Sequence, residues 1–182
     1  MGILVIAVII ILILRFLTRA YNSSEAKGER GEQKVSRIVD RACTNTTAIP
    51  IKNLYLPWPD GGTAQIDELI IADSGIYVIE MKNYKGWIFG NESNQYWTQV
   101  LYTGYSGEST KNRLYNPIRQ NASHISCIRK NIKGYKGPIH SLVVFGDEAE
   151  FKDVTVLSAN VYVLYQSNLR RVIWEIDSAY KG

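Results

Sequence analysis

Cysteine is scarce: the 182 residues hold two, Cys43 and Cys127, and neither sits in a Cys-x-x-Cys pair. That excludes a disulfide scaffold and a thiolate zinc site, and leaves both thiols as small hydrophobes. Histidine is equally rare, and His124 and His140 are not spaced as a ligand pair. No internal repeat and no low-complexity tract is present, which sets aside solenoid and disordered architectures. Acidic residues are outnumbered, 17 against 21 basic ones, for a formal net charge of +4. Such an excess permits contact with phosphates or anionic lipid without demonstrating it. What the chain does have is apolar residue, at 46% enough to build a core, and a length suited to one α/β domain plus a short extra segment.

Charge is also missing from the first stretch. Gly2 to Leu14 is unbroken apolar, followed by Arg15, Phe16 and Leu17. As a helix it would reach about 25 Å, slightly short of the ~30 Å hydrocarbon core, a gap closed by snorkelling of Arg15 and local bilayer thinning. A cleaved signal peptide would need a basic residue before the apolar run and a small-x-small site; Thr18-Arg19-Ala20 is a poor one. The expectation is a single-span anchor over residues 1–20, ahead of one domain over 21–182. Arg15, Arg19, Lys27, Arg30, Lys34 and Arg37 all follow the span, which places the domain on the cytoplasmic side.

After a short linker, Ser23 or Ser24 can cap a helix running to about Ala42. Gly28, Glu32, Val35 and Val39 share one face of it, so a carboxylate ends an apolar stripe. Gly28 and Gly31 weaken the helix and point to a close neighbour. Strands follow at Asn53–Leu56, Gln65–Ala72 and Ile76–Lys82, then a hairpin of Trp87–Phe89 with Tyr96–Tyr102. Thr103 to Lys111 reads as a loop. Asn116-Pro117 opens a second helix, with Asn as N-cap and Pro at the first position. Its stripe is Ile118, Asn121, Ile125, Ile128 and Ile132, and Gly134 ends it. Leu142–Phe145 and Val161–Tyr165 are apolar strands, and a last helix spans Gln166 to Ile176. The order predicts an α/β domain with a mixed central sheet flanked by helices.

Strand alternation groups Gln65, Asp67, Leu69 and Ile71 on one face, and Ile76, Val78, Glu80 and Lys82 on another. With Asp73-Ser74 as a two-residue loop, Ala72 faces Gly75. Asp67 then lies opposite Glu80, and Gln65 opposite Lys82. Two neighbouring carboxylates on a half-buried face repel, and a divalent cation resolves that cost. Hard oxygen ligands favour Mg²⁺ or Mn²⁺. Lys82 beside them can hold a phosphate oxygen or orient a water, and Glu32 can add a third carboxylate. That set suits phosphodiester hydrolysis. The same pattern also occurs as a plain cross-strand salt-bridge set, and spacing alone does not separate the two.

Gly31-Glu32, Gln65-Ile66-Asp67, Gly75-Ile76-Tyr77-Val78-Ile79-Glu80-Met81-Lys82-Asn83-Tyr84-Lys85-Gly86 and Asn116-Pro117-Ile118-Arg119-Gln120 occur in that order. Together they resemble the nuclease-related domain (NERD) family, a branch of the restriction-endonuclease-like P-D-(D/E)-x-K superfamily. The resemblance covers about Ala26 to Ile132. It implies a core of helix, three-stranded meander, helix and strand. It implies Asp67 and Glu80 as metal ligands, Lys82 as the catalytic lysine, Glu32 as the helix-borne acid, and Gln120 as a supporting residue beside the site, as Gln65 is by its register. Ile66 stands where many members of the wider superfamily have proline. The implied function is a Mg²⁺- or Mn²⁺-dependent nuclease, with DNA as the expected substrate; the N-terminal apolar run adds the expectation that it is held at a membrane, working alone, as a homo-oligomer or with a partner subunit. The competing expectation is a non-catalytic nucleic-acid- or protein-binding module held there. His124, one turn after Gln120, has two readings: it faces the same site, or it is a satisfied helix-surface residue, the commoner case. Trp58, Trp87 and Trp97 could stack on bases but more often serve as core or turn packing. Lys85, Arg113, Arg119, Arg129, Lys130, Lys133 and Lys136 could form a phosphate-binding surface, though isolated charges are usually just solvated.

Overall fold

The computed structural model describes residues 24–103 and 108–181. The expected anchor over residues 1–20 lies outside them. Among the described residues no helix is long and apolar enough to cross a membrane. Helix α1 (Ser24–Cys43) leads into β1 (Ile49–Pro57), β2 (Thr63–Ala72) and β3 (Gly75–Lys82). Next come β4 (Gly86–Asn91), β5 (Tyr96–Thr103) and β6 (Glu108–Tyr115), then helix α2 (Pro117–Asn131). Strands β7 (Ile139–Phe145), β8 (Ala149–Thr155) and β9 (Val161–Tyr165) follow, and α3 (Leu169–Lys181) closes the chain after one turn of 3₁₀ helix.

The strands form two mixed sheets where the sequence predicts one. The first has the order β1-β2-β3-β7-β9, an antiparallel meander to which β7 and β9 add in parallel. The second has the order β6-β5-β4-β8. It arises because residues read as loop, 108–111, continue into β6, and because β8 was not foreseen at all. Both strands are polar, ESTKNRLY and AEFKDVT, and both lie at the edges of their sheet. An edge strand has one side open to water and needs no apolar face to hold its place.

Apolar positions sort the first sheet between two layers. Tyr77, Ile79 and Met81 of β3 pack with Val35 and Val39 of α1 and Leu169, Val172 and Ile173 of α3. Ile76 and Val78, on the opposite face, pack with Ile128 of α2. The inner face of the second sheet closes on the first through Ile88, Trp97, Val143 and Phe145. At about 25 cal/mol per Å² these buried side chains supply the main drive for folding. Helix α2 starts as the sequence predicts: the Asn116 side chain accepts from Ile118 N–H, with Pro117 at the first helical position. Its buried stripe differs, however. His124 and Cys127 are buried while Ile132 is exposed.

Candidate active site

The β2–β3 turn decides where the acidic residues fall. Ala72 pairs with Gly75 across the two-residue loop Asp73-Ser74, and the register runs on through Ile71–Ile76, Ile70–Tyr77 and Leu69–Val78 to Glu68–Ile79. Gly75 adopts φ +129°, and a Cβ there would stand 2.5 Å from Pro138 O, so the tight turn depends on glycine. The predicted register therefore holds, but the ladder stops one pair short of Asp67 and Glu80.

Strict alternation fails at that point. Ile66 and Leu69 both join the α2-side cluster, which regular alternation forbids, so β2 is irregular between them. On the neighbouring strand Asn53, flanked by the pairs Lys52–Glu68 and Leu54–Ile66, takes φ +49°. The Asp67 side chain turns into the gap, and its Oδ2 accepts the Met81 N–H at 2.9 Å in place of a ladder bond. Gln65 consequently does not sit against Lys82; it is exposed and donates to Asn53 Oδ1 at 2.8 Å. Lys82 pairs instead with Phe145 of β7.

Glu80 is the centre of the arrangement. It is 2% exposed. Its Oε1 accepts from Lys82 Nζ at 2.6 Å, and Lys82 Nζ also donates to Gln120 Oε1 at 3.0 Å. Helix α2 thus holds the lysine against the acid. Glu80 Oε2 is buried with no hydrogen-bond partner. Burial pushes the Glu80 carboxyl up to about 7, the Asp67 and Glu32 charges add to the rise, and Lys82 opposes it. Glu32 stands exposed on α1, one residue after Gly31. Partial burial first, then the charges of Asp67 and Glu29, raise its carboxyl above the ordinary range. Gly31 permits the approach: a Cβ there would lie 2.9 Å from the Asn83 side chain, just past the end of β3. At Gly28 nothing comes within 4 Å, so the close neighbour expected there is not found.

Of the two sequence readings of His124, the structure takes the one that faces the site. His124 is 9% exposed rather than on the surface, and its Nδ1 lies 3.4 Å from Glu80 Oε2. Its Nδ1 also lacks a hydrogen-bond partner. Burial lowers its pKa, Asp67 opposes that and Lys82 assists it. Its position one helical turn after Gln120 puts both on one face, which is what the sequence offers for this placement. Among the described residues no group of three His, Cys, Asp or Glu side chains forms a ready-made metal cage. Mg²⁺ characteristically takes one or two carboxylates, with water and phosphate oxygens filling the rest.

The structure brings Glu32, Asp67, Glu80, Lys82 and Gln120 into one electrostatic neighbourhood, adds His124, and leaves Gln65 outside it. Residues 27–146, which contain all of them, match the family model described as nuclease-related domain. An uncharacterized protein of Bacillus anthracis, pXO1-01, is 33% identical over 147 residues, 81% of this chain and 66% of that protein. The chain spans just under two thirds of that relative's length. No solved structure matches the chain. With the family model covering well over half of its residues, the chain belongs to the nuclease-related domain (NERD) family.

Proposed function

We propose that the protein is a metal-dependent nuclease that hydrolyses phosphodiester bonds of DNA, with a restriction-endonuclease-like core over residues 21–182 held at the cytoplasmic face of a membrane by residues 1–20. One observation carries the reading. Glu80 keeps a buried, unpartnered carboxylate oxygen where β2 and β3 part, with Lys82 on its other oxygen and Asp67 turned into the same gap. A buried acceptor with no donor costs about 1–3 kcal/mol, more when charged. Glu68 Oε1 is orphaned as well, so the pointer to a ligand is the gathering of Lys82 and Asp67 around Glu80 together with its free oxygen. Asp67 and Glu80 would hold a Mg²⁺ or Mn²⁺ ion.

When bound, the cation lowers the pKa of a coordinated water and stabilises charge developing on the phosphoryl oxygens. Lys82 supplies a positive group whose position is fixed by Glu80 and Gln120, so it meets a phosphate oxygen without first reorganising. Glu32 adds negative charge at the rim and can orient water toward the site. The helix–meander–helix–strand order of α1, β1–β3, α2 and β7 supports the core assignment, and the uncharged run Gly2–Leu14 followed by Arg15 and Arg19 supports the anchor.

A nucleic-acid partner draws support from the outer face of the second sheet. Paired positions of β5 and β6 put Tyr96 beside Tyr115, and Thr98 beside Arg113. The Arg113 guanidinium lies 3.5 Å from the Tyr96 ring centroid, and Trp87 packs edge-on to Tyr102 at 4.7 Å. Tyr96, Tyr102 and Tyr115 remain exposed, and exposed aromatics interleaved with cations suit base stacking and phosphate contact. The test is to incubate the full chain with plasmid and linear DNA in Mg²⁺, Mn²⁺ or EDTA. Cleavage that needs the metal is expected. A well-folded chain that neither cleaves nor binds either ion would shift the reading to a membrane-held binding module.

A further inference from the structure

We propose that His124 is itself a ligand of the divalent ion, its Nδ1 joining Glu80 Oε2 in the first coordination sphere, so that the site takes Mn²⁺ in preference to Mg²⁺. The inference rests on the metal-site reading and extends it to a residue on helix α2 and to the identity of the ion.

Two buried atoms carry the argument. Glu80 Oε2 and His124 Nδ1 face each other at 3.4 Å, and each lacks a hydrogen-bond partner. Both parent residues are nine-tenths or more buried. An imidazole nitrogen and a carboxylate oxygen left at that separation gain little from each other, because a charge-assisted hydrogen bond closes to about 2.7–2.9 Å. A shared ion accounts for the approach. Two adjacent ligands each about 2.1 Å from one octahedral cation stand about 3.0 Å apart, so the pair needs to close by only a few tenths of an ångström when the ion binds.

The surroundings leave that pair available. Lys82 occupies only Glu80 Oε1. Gln120, one turn before His124, is taken up by Lys82. Asn121, the neighbour on the buried side of α2, donates to Val78 O and Ser141 Oγ, which anchors the helix that carries His124 to β3 and β7. Among the described residues no third such side chain is preformed around the pair, so Asp67 would have to close on the ion as it binds, and water and phosphate oxygens would take the remaining positions. An imidazole ligand changes selectivity, because nitrogen donors favour transition metals over Mg²⁺, which prefers oxygen throughout.

Pulsed electron paramagnetic resonance on Mn²⁺ bound to the untagged full chain, in mild detergent, reads the ligand directly. The expected result is modulation from a directly coordinated ¹⁴N that changes when histidine is ¹⁵N-labelled, is lost in His124→Gln and persists in His140→Gln. Mn²⁺ affinity should fall about tenfold or more in His124→Gln, with Mg²⁺ affinity changed less than about threefold. The labelling arm requires no variant, so misfolding of His124→Gln would not blunt the test. Bound Mn²⁺ without nitrogen modulation overturns the proposal while leaving the carboxylate metal site intact. Failure of the folded chain to bind Mn²⁺ at all overturns both.

Discussion

Glu68 and Glu80 lie one step apart in the same sheet, on β2 and β3, and burial pushes both carboxyls up to about 7. What surrounds them differs. Glu68, 4% exposed, pairs across from Ile79, whose face is covered by α1 and α3. Ser36 on α1 bonds to it, and Lys52 opposes its rise; Lys52 is itself bound to Asp40 at 2.6 Å. Its neighbours are thus consumed in tying α1 to β1. Glu80 faces α2, and its neighbours are Lys82, Gln120, His124 and Asp67; Lys82 with Gln120 joins β3 to α2 and Asp67 joins β2 to β3, and all four gather around the one carboxylate. Each acid also keeps one buried oxygen without a hydrogen-bond partner, Glu68 Oε1 and Glu80 Oε2. Neither a raised carboxyl nor an unfilled atom therefore marks a site by itself; what sets Glu80 apart is the set of Lys82, Gln120, His124 and Asp67 gathered around it.

The comparison breaks most sharply in cleavage. Asp67→Asn and Glu80→Gln keep volume and remove the charge that would hold the cation, so metal affinity and cleavage should collapse together. Lys82→Ala should leave metal binding and lower the rate about 10²–10³-fold, the scale of a lost electrostatic stabiliser. Glu68→Gln, equally buried, should cleave within about twofold of wild type, since its partners carry no role in the reaction. Single-turnover rates alongside calorimetric Mn²⁺ binding check all four. Loss of cleavage in Glu68→Gln at unchanged stability would mean that the two acids belong to one site.

Stability against pH sharpens it next. A carboxyl at about 7 in the folded chain and 4.5 unfolded binds a proton more tightly when folded. Its contribution is fully present below about pH 4.5 and is lost as pH rises through about 7. For Glu80 the span corresponds to about 3 kcal/mol. In EDTA, urea midpoints should therefore fall from pH 5 to pH 8, and Glu80→Gln and Glu68→Gln should each flatten part of the slope. Mn²⁺ should remove the Glu80 part and leave the Glu68 part. A wild-type profile flat across that range in EDTA would contradict both shifts.

Much of this was legible in the residues. The Asp73-Ser74 turn and the periodicity of β2 and β3 are enough to place Glu80 and Lys82 together on the α2 face, because a two-residue loop leaves one register. Asn116-Pro117 marks the start of α2 to the residue. What was hidden is what sequence pattern does not encode. The break at Asp67 depends on Asn53 of the neighbouring strand taking a left-handed conformation, a long-range condition. The spacing from Gln120 lets His124 face the site, but its burial against Glu80 of β3 is a long-range contact that the local sequence does not carry. Strands β6 and β8 escape because edge strands with polar sequences look like loops.

The smallest expected effect belongs to Glu32. It is exposed on α1, feels Asp67 and Glu80 through space, and touches neither Lys82 nor Gln120 by hydrogen bond. Partial burial first, and then the charges of Asp67 and Glu29, raise its carboxyl. Removing the Glu32 charge should ease the repulsion on Glu80, so Glu32→Gln should lower the Glu80 pKa while thinning the field that favours a cation. The two changes oppose each other in metal affinity. Cleavage should fall about tenfold or less, in line with groups that act through water rather than by direct ligation. Measured together, an NMR titration of Glu80 in EDTA and a Mn²⁺ titration of Glu32→Gln separate the two terms. A loss of cleavage as deep as that of Glu80→Gln would move Glu32 into direct contact with the ion, and the site would then rest on both α1 and α2.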